Sequence, residues 1–210
     1  MDRIEKMIAK QLLDIKAVCL SPEKNFIWAS GWRSPIYCDN RKILSYPHAR
    51  DLVVDELCRL ITVNFPQTDI IAGVATGAIA WGALVANKLN LPLVYIRPKP
   101  KDHGMGVQIE GEISMGKKMV IVEDLISTGG SSLSAFDCVL AAGVAVLGMV
   151  AIFSYNFDVA RRAFEKKNCE LHTLTNYETL IEEAVANHYI EETEIHTLKQ
   201  WRLMPDKWGC

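Results

Sequence analysis

The sequence predicts an α/β fold, with one parallel β-sheet and helices on both of its faces. Continuous apolar runs such as DIIAGV (69–74) and KMVIVED (118–124) end abruptly in turn-forming or acidic residues. Segments with apolar residues at helical spacing separate these runs. Strands that are apolar along their whole length belong to covered sheets, and alternation with helices is typical of parallel ones. In such sheets ligands bind beyond the carboxyl ends of the strands, so we expect the functional residues there.

The predicted elements follow one another regularly from residue 47 onward. Helices are predicted at 50–62, 77–89, 131–142, 159–167 and 178–187. Strands are predicted at 69–74, 92–96, 118–124, 144–155 and 170–176. Residues 1–18 also place apolar side chains at helical spacing. Residues 26–44 have no helical period, and their aromatic, glycine and proline content predicts turns and short extended pieces in a small hood. Residues 196–210 predict no element.

Length and composition indicate an ordinary globular protein. The 210 residues are 50% hydrophobic and 23% charged, which is enough for one sizeable core. We therefore predict a single domain over residues 1–210, in which residues 20–46 contribute to the hood. The formal charge of −2 gives no general attraction to a polyanion, so no nucleic-acid partner is expected.

The sequence also predicts a cytoplasmic protein without a membrane partner. The longest apolar run, Val144 to Phe153, is too short to cross a bilayer, and the N-terminus lacks the pattern of a signal peptide. The six cysteines form no C-x-x-C pairs, so neither a zinc site nor a disulfide framework is indicated. Reduced thiols in a cytosol are the simpler interpretation.

The stretch KMVIVEDLISTGGSS (118–132) combines two kinds of chemistry. The acids Glu123 and Asp124 end an apolar strand, and carboxylates accept hydrogen bonds from sugar hydroxyls. The small residues of 127–132 then expose backbone N–H groups at the start of a predicted helix, where an anion is favoured. A sugar phosphate fits both halves. A capped helix after an acidic loop, with Ser131 or Ser132 as its N-cap, explains the composition equally well.

A second stretch, YIRPKPKDHGMGVQIEG (95–111), is too long and too glycine-rich for a simple connection. An extended chain would point four alternating side chains to one side: Arg97, Lys99, Lys101 and His103. Such a loop can close as a lid over a diphosphate, with these side chains as donors. A solvated charged loop is the ordinary alternative, and a second phosphate signal nearby favours the lid.

A third stretch, GVATGAIAWG (73–82), follows the predicted strand at 69–74. Thr76, Gly77 and Ala78 form another strand-to-helix turn, whose N–H groups suit further phosphate oxygens. Close packing of the helix on the strand explains the glycines as well, so this signal is weak alone. The nearby GEISMGKK (111–118) precedes a strand and lacks the final Ser or Thr of a P-loop, which argues against a nucleoside triphosphatase.

These stretches resemble a known family. KMVIVEDLISTGGSS is similar to the motif with which type I phosphoribosyltransferases bind 5-phosphoribosyl 1-diphosphate (PRPP). YIRPKPKDHGMGVQIEG resembles the catalytic loop of the orotate phosphoribosyltransferases, and WASGWRSPIYCDNRKILSYP resembles their N-terminal hood. The resemblance implies a type I phosphoribosyltransferase-like parallel sheet flanked by helices, with a small N-terminal hood. It also implies the reaction of orotate with PRPP to give orotidine 5′-monophosphate and diphosphate, a step in the biosynthesis of UMP.

The resemblance assigns roles to residues of all three stretches. Glu123 and Asp124 would hold the ribose hydroxyls, and Ser127 matches a position that also contacts orotate. The 5′-phosphate would be wrapped by Leu125, Ile126, Ser127, Thr128, Gly129, Gly130 and Ser131. Arg97, Lys101 and His103 would bind the diphosphate and act in catalysis, with Lys99 assisting. Mg²⁺ would be held mainly by PRPP and water, near Asp124. In this family the lid closes over the neighbouring subunit's site, which implies a homodimer.

Two departures from the family pattern affect these assignments. Some members carry consecutive basic residues after the loop arginine, whereas here Pro98 follows Arg97. Some also use an arginine after the long fifth strand for the orotate carboxylate, whereas the residues here are SYNFDVA. Arg41 of the hood is our candidate replacement for that arginine.

Two rival functions share parts of the pattern. A purine or uracil phosphoribosyltransferase would have the same PRPP motif, but the KPKDHG lid and the WASGW hood speak against it. A regulator that binds PRPP and nucleic acid would need a basic surface or an added domain, and the sequence predicts neither.

Overall fold

The computed structural model describes residues 2–22, 26–28, 31–99 and 108–208. The helices are α1 (Asp2–Asp14), α2 (Pro47–Asn64), α3 (Ile79–Leu89), α4 (Gly130–Ala141), α5 (Asp158–Lys166), α6 (Tyr177–Ala186) and α7 (Ile195–Leu203). The strands are β1 (Val18–Leu20), β2 (Phe26–Ile27), β3 (Arg33–Ser34), β4 (Ile36–Cys38), β5 (Ile70–Val74), β6 (Leu93–Ile96), β7 (Ile109–Glu110), β8 (Lys118–Ile126), β9 (Ala145–Ser154) and β10 (Leu171–Asn176). Two 3-10 helices cover Asn40–Ser45 and Glu192–Glu194.

The chain forms two compact units. One consists of Asp51–Leu174, and the other combines Met1–Arg50 with Thr175–Cys210. The expectation of one domain, with residues 20–46 in a hood over the active site, stays a prediction. None of the helices in the described parts of the chain is long and apolar enough to cross a membrane.

The first unit is built on the predicted sheet. Six strands lie in the order β10–β9–β8–β5–β6–β7. β5 pairs in parallel with both β6 and β8, and β8 pairs in parallel with β9. These pairings confirm the parallel α/β fold. All ten elements predicted after residue 47 are present, with ends shifted by three residues or fewer.

The apolar runs of the sequence form the centre of this unit. Met119, Val120, Ile121 and Val122 of β8 are completely buried, as is the middle of β9. Residues from α4 and α5, among them Phe136 and Phe164, join the same hydrophobic core. Burial of such side chains contributes about 1.5–3 kcal/mol each and fixes the strand ends from which the polar residues project.

One edge of the sheet differs from the sequence prediction. The sequence predicts one long loop after the strand at 92–96, but Ile109 and Glu110 make a short strand that runs antiparallel to β6. Ile109 is buried and pairs with Ile96. A pairing of two residues is too short to create a periodic pattern, and its stability comes from the neighbouring strand. The strand pairing between β6 and β7 therefore holds the two ends of the predicted loop next to each other.

The second unit contains the segment that the sequence could not place. Trp201 of α7 is completely buried, and its indole Nε1 donates a hydrogen bond to the Arg33 carbonyl at 3.3 Å. Its ring lies edge-on to Trp28, with centroids 5.7 Å apart, and packs against Tyr177 of α6. Aromatic packing thus joins the C-terminal helices to the short strands near the N-terminus.

Glycine allows α3 to lie directly on β5. A methyl group on Gly82 would be 3.0 Å from the Gly73 Cα and 3.2 Å from the Gly73 nitrogen. Because these are backbone atoms of a completely buried strand region, they have little freedom to move aside.

We expect Gly82→Ala to lower the free energy of unfolding by about 1–3 kcal/mol, because it forces the helix away from the strand. Gly130→Ala is the matched control, since a methyl group there meets only the Thr128 Oγ1 at 4.0 Å. Urea denaturation followed by circular dichroism measures both variants. Equal stability of the two variants would contradict the close packing.

Candidate active site

The candidate site lies at the switch point of the sheet, where successive strands are added in opposite directions. β5 and β8 are neighbours, and the chain continues from β5 to β6 on one side and from β8 to β9 on the other. Because parallel crossovers are right-handed, these two connections place their helices on opposite faces of the sheet. A crevice therefore opens between the carboxyl ends of β5 and β8, the usual ligand site of such folds.

Asp124 faces the turn that follows β5. A methyl group on Gly77 would lie 2.7 Å from the Asp124 Oδ1, and still closer to its Oδ2. The carboxylate is therefore packed against the Gly77 backbone, while the side chain remains only partly buried. Thr76, the neighbouring residue in the turn, is exposed. The structure thus brings together the turn at 75–78 and the end of β8, as the sequence predicted.

Glu123, the neighbouring acid, is buried beside α4, although its carboxyl remains close enough to Asp124 for the two side chains to interact. It is 5% exposed, and its Oε1 accepts a hydrogen bond from the Ser132 hydroxyl at 2.8 Å. Its Oε2 accepts one from the Asp124 backbone N–H at 3.2 Å. Burial raises the pKa of the Glu123 carboxyl from 4.5 to about 8, and the adjacent Asp124 carboxylate adds to the rise.

The loop between β8 and α4 presents backbone donors. Gly129 is the N-cap residue of α4, at a φ of 80°, and no side chain caps this end of the helix. The alternative in which Ser131 or Ser132 is the N-cap is therefore wrong, because Ser132 instead donates to Glu123. Gly130 and Ser131 are exposed, so the first-turn N–H groups can receive an anion. Ser127 and Thr128 are partly buried beside them.

Residues of α5 pack against Gly129 of this loop. A methyl group on Gly129 would lie 2.9 Å from the Phe164 Cε2 and 3.7 Å from the Ala160 Cβ. Phe164 and Ala160 are both buried in the core. The left-handed φ and the close contact each require glycine at this position.

Arg97 lies at the base of the predicted lid. Its backbone N–H donates to the Gln108 carbonyl at 2.9 Å, and the Gln108 side chain donates to the Arg97 carbonyl at 2.6 Å. The guanidinium Nη1 is 3.6 Å from the Glu110 Oε1 of β7, and the side chain is 33% exposed. Lys99 is exposed. Lys101 and His103 lie outside the described residues.

The family model of the phosphoribosyl transferase domain matches residues 45–190. The chain belongs to the phosphoribosyl transferase family. The orotate phosphoribosyltransferase of Bacteroides thetaiotaomicron is 55% identical over 210 residues, which cover 100% of this chain and 99% of that protein. This result confirms the resemblance on which the sequence analysis relied.

Solved structures agree with this phosphoribosyltransferase fold. The orotate phosphoribosyltransferase of Aeropyrum pernix is 27% identical, with a TM-score of 0.77, over 88% of this chain and all of that one. The UMP synthase of Leishmania donovani is also 27% identical, with a TM-score of 0.79 over 94% of this chain. This chain spans 42% of that longer protein.

The phosphoribosyltransferase chain offers few direct metal ligands. Within the described ranges there is no group of three or more His, Cys, Asp or Glu side chains that could hold a metal ion. Asp124 is a single partly buried carboxylate at the crevice. Mg²⁺ binds readily through one or two carboxylates together with substrate phosphates and water. The residues present therefore fit a magnesium ion that arrives with its substrate.

Two features of the site were not predicted from the sequence. Glu110 pairs with Arg97, and Ser132 holds Glu123. The SS pair at 131–132 carried no signal to show which hydroxyl was buried. Arg41, the candidate for the orotate carboxylate, belongs to the other unit, where its Nε lies 2.7 Å from the Asp39 Oδ1.

The raised pKa of Glu123 predicts a component of stability that falls as pH rises. The folded state keeps this proton to about pH 8, whereas the unfolded chain loses it near 4.5. Keeping Glu123 protonated in the folded state therefore lowers the free energy of unfolding increasingly between these two pH values. Below about pH 4.5 this effect is absent. We expect Glu123→Gln to gain stability relative to the wild type progressively from pH 5 to pH 8. Chemical denaturation at several pH values measures this difference, with exposed Glu112→Gln as the control. A difference that shrinks as pH rises would contradict the burial of this acid.

Proposed function

We propose that this protein is an orotate phosphoribosyltransferase, a pentosyltransferase that moves the 5-phosphoribosyl group from PRPP to orotate. The products are orotidine 5′-monophosphate and diphosphate, in the biosynthesis of UMP. One observation carries the proposal: Asp124, near the carboxyl end of β8, and the uncapped start of α4 lie on the two sides of one short loop at the switch point of the sheet. The names of relatives at about 55% identity over the whole chain support orotate as the acceptor.

The two ends of the loop suit the two ends of the ribose. The Asp124 carboxylate can accept hydrogen bonds from the ribose hydroxyls, whereas an acid close to the phosphate would repel it. The N–H groups of Gly130 and Ser131, with the positive end of the α4 dipole, can bind the 5′-phosphate. Leu125–Thr128 complete the wrapping loop, and Thr76 adds a donor from the turn after β5.

In the reaction the bond between the anomeric carbon and a diphosphate oxygen breaks, and an orotate ring nitrogen bonds to that carbon while its N–H proton passes to water or to the released diphosphate. Positive charge develops on the ribose and negative charge on the leaving group. Arg97, Lys101 and His103, with help from Lys99, are proposed to hold the departing oxygens. Mg²⁺, when bound with the diphosphate, neutralises part of its charge. Closure of the lid would exclude water that could capture the sugar cation.

The remaining parts of the proposal concern recognition and assembly. Ser127 and Arg41 are proposed to contact orotate, with Arg41 facing its carboxylate. The protein is proposed to act in the cytoplasm as a homodimer, in which each lid closes over the other subunit's site. Neither nucleic acid nor a membrane has a part in this function.

A test of the acceptor decides between this function and its rivals. The protein is incubated with PRPP, Mg²⁺ and one base at a time, and diphosphate release is followed. The bases are orotate, uracil, hypoxanthine and adenine. Release that depends on orotate supports the proposal. Release with a purine or with uracil alone would assign a different acceptor, and binding of PRPP without turnover on any base would favour a sensor.

Gly77→Ala should displace the Asp124 carboxylate, because the new methyl group would occupy its position. We expect the KM for PRPP to rise about 10- to 100-fold, the cost of a lost hydrogen bond to a charged group. Asp124→Asn should act on the same contact, so the double variant should be little worse than either single one. If the changes in KM for PRPP were fully additive in the double variant, Gly77→Ala would act through a contact other than the one with Asp124.

Lys101→Ala should lower kcat by about 100- to 1,000-fold, because one donor to the leaving group is lost. Lys117→Ala is the control: this exposed lysine lies before β8, at the opposite end of the strand from the site, with its Nζ 3.3 Å from Asp69. Steady-state kinetics at saturating substrates compare them. Unchanged turnover in Lys101→Ala would exclude the catalytic role.

Arg41→Ala should raise the KM for orotate more than the KM for PRPP, because only orotate carries the carboxylate that Arg41 is proposed to bind. Initial rates with each substrate varied in turn separate the two constants. A larger effect on PRPP would reject Arg41 as the orotate residue.

A further inference from the structure

An ion pair at the base of the predicted lid includes a carboxylate to which the proposed chemistry gives no role. The Oε1 of Glu110 in β7 lies 3.6 Å from the Nη1 of Arg97, and the two side chains are 22% and 33% exposed. Because both are partly buried, water and salt screen their attraction less than that of an exposed pair. Arg97 is proposed to hold diphosphate oxygens, whereas Glu110 carries the charge that repels them.

The backbone around this pair is held by hydrogen bonds. Glu110 pairs with Tyr95 in the antiparallel register of β6 and β7. Next to this pairing, the Arg97 N–H donates to the Gln108 carbonyl at 2.9 Å, and the Gln108 side chain donates to the Arg97 carbonyl at 2.6 Å. Arg97 and Glu110 are therefore diagonal neighbours across the two chain segments, with side chains on the same face. A change in their contact requires movement of the side chains only.

The Arg97 guanidinium is balanced in charge but incompletely hydrogen-bonded. Its Nη1 is buried and has no hydrogen-bond partner among the residues that the structure describes. The 3.6 Å distance to Glu110 is too long for a hydrogen bond, although the opposite charges still attract. Phosphate oxygens are strong acceptors for a guanidinium, which they bind in two places at once. A diphosphate can therefore offer Arg97 hydrogen bonds that Glu110 does not supply to this nitrogen.

Arg97 also lies within reach of the crevice. The residue before it, Ile96, is aligned with Val74 of β5, and the Ile96 carbonyl accepts a hydrogen bond from the Ala75 N–H at 2.8 Å. Arg97 thus follows directly on the strand end that adjoins the turn at 75–78. Rotation about the bonds of its long side chain can move the guanidinium from Glu110 towards an anion in the crevice.

We propose that Glu110 is a positioning residue that acts as the exchangeable counter-ion of Arg97. It holds the guanidinium at the base of the lid while no diphosphate is bound, and it competes with diphosphate for that guanidinium. The competition lowers the affinity for diphosphate, which the proposed reaction releases as a product, and so favours its departure. This inference rests on the proposed function and deepens it, because it concerns the control of one of the proposed diphosphate residues.

Removal of the counter-ion charge tests the competition. Glu110→Gln keeps the size of the side chain and the backbone pairing with Tyr95. We expect the dissociation constants of diphosphate and of PRPP, each with Mg²⁺, to fall about three- to tenfold, because Arg97 no longer has to leave a carboxylate. The constant of ribose 5-phosphate, which lacks the diphosphate, should change by less than about twofold. Calorimetry measures all three constants.

A matched control and a double variant show whether the effect acts through Arg97. Glu112→Gln removes the same charge from an exposed side chain two residues away and should change each constant by less than about twofold. Arg97→Ala should weaken diphosphate, and adding Glu110→Gln to it should have almost no further effect, since the counter-ion has lost its partner. If Glu110→Gln folds poorly by circular dichroism, Glu110→Ala removes the same charge and replaces it in every comparison.

The outcomes separate this inference from the proposed function. Weaker or unchanged binding of diphosphate by Glu110→Gln would overturn the competition and leave the enzyme assignment intact. Tightening of the same size in the Arg97→Ala background would show a general repulsion between Glu110 and the ligand, and it would overturn the inference too. Equal tightening of ribose 5-phosphate would do the same. A wild-type protein that binds neither diphosphate nor PRPP with Mg²⁺ would reject the proposed function, and this inference with it.

Discussion

The close packing of the Asp124 carboxylate on the Gly77 backbone is the constraint on which the site depends. It joins the end of β8 to the turn after β5, the two central strands of the sheet. The turn can lie there because Gly73 and Gly82 let α3 sit directly on β5. Three glycines therefore bring one acid to the mouth of the crevice. A side chain at any of the three positions would separate the elements that the site requires.

The different burial of two adjacent acids explains how both can lie beside the proposed anion site. One acid, Asp124, faces the crevice, and the other, Glu123, is directed into the protein beside α4. Because burial raises its pKa, Glu123 is mostly protonated at neutral pH and adds little negative charge near the phosphate position. In the proposed function the pocket therefore combines an acid for the hydroxyls with a positive helix end for the phosphate, and the two do not oppose each other.

The sequence revealed the parts of this arrangement that depend on long, regular patterns. The apolar runs indicated the positions of β5 and β8, and the residues after them showed the resemblance to the phosphoribosyltransferases. Contacts made by single side chains were not accessible in this way. Ser131 and Ser132 are adjacent and chemically identical, and only the packing of α4 determines which of them is buried. Likewise β7 exists because Ile109 pairs with Ile96, a relation between distant residues that leaves no local signal.

The unit made of Met1–Arg50 and Thr175–Cys210 has a consequence for how the protein is made. Trp28 and Arg33 precede Asp51–Leu174 in the chain, whereas Trp201, which contacts the Trp28 ring and the Arg33 carbonyl, follows it. Asp51–Leu174 is continuous and can complete its sheet while the chain is still growing. Trp28 can make its contact with α7 only after that helix has been synthesised. The unit that contains both chain ends therefore completes its aromatic packing later than the sheet of Asp51–Leu174 can form.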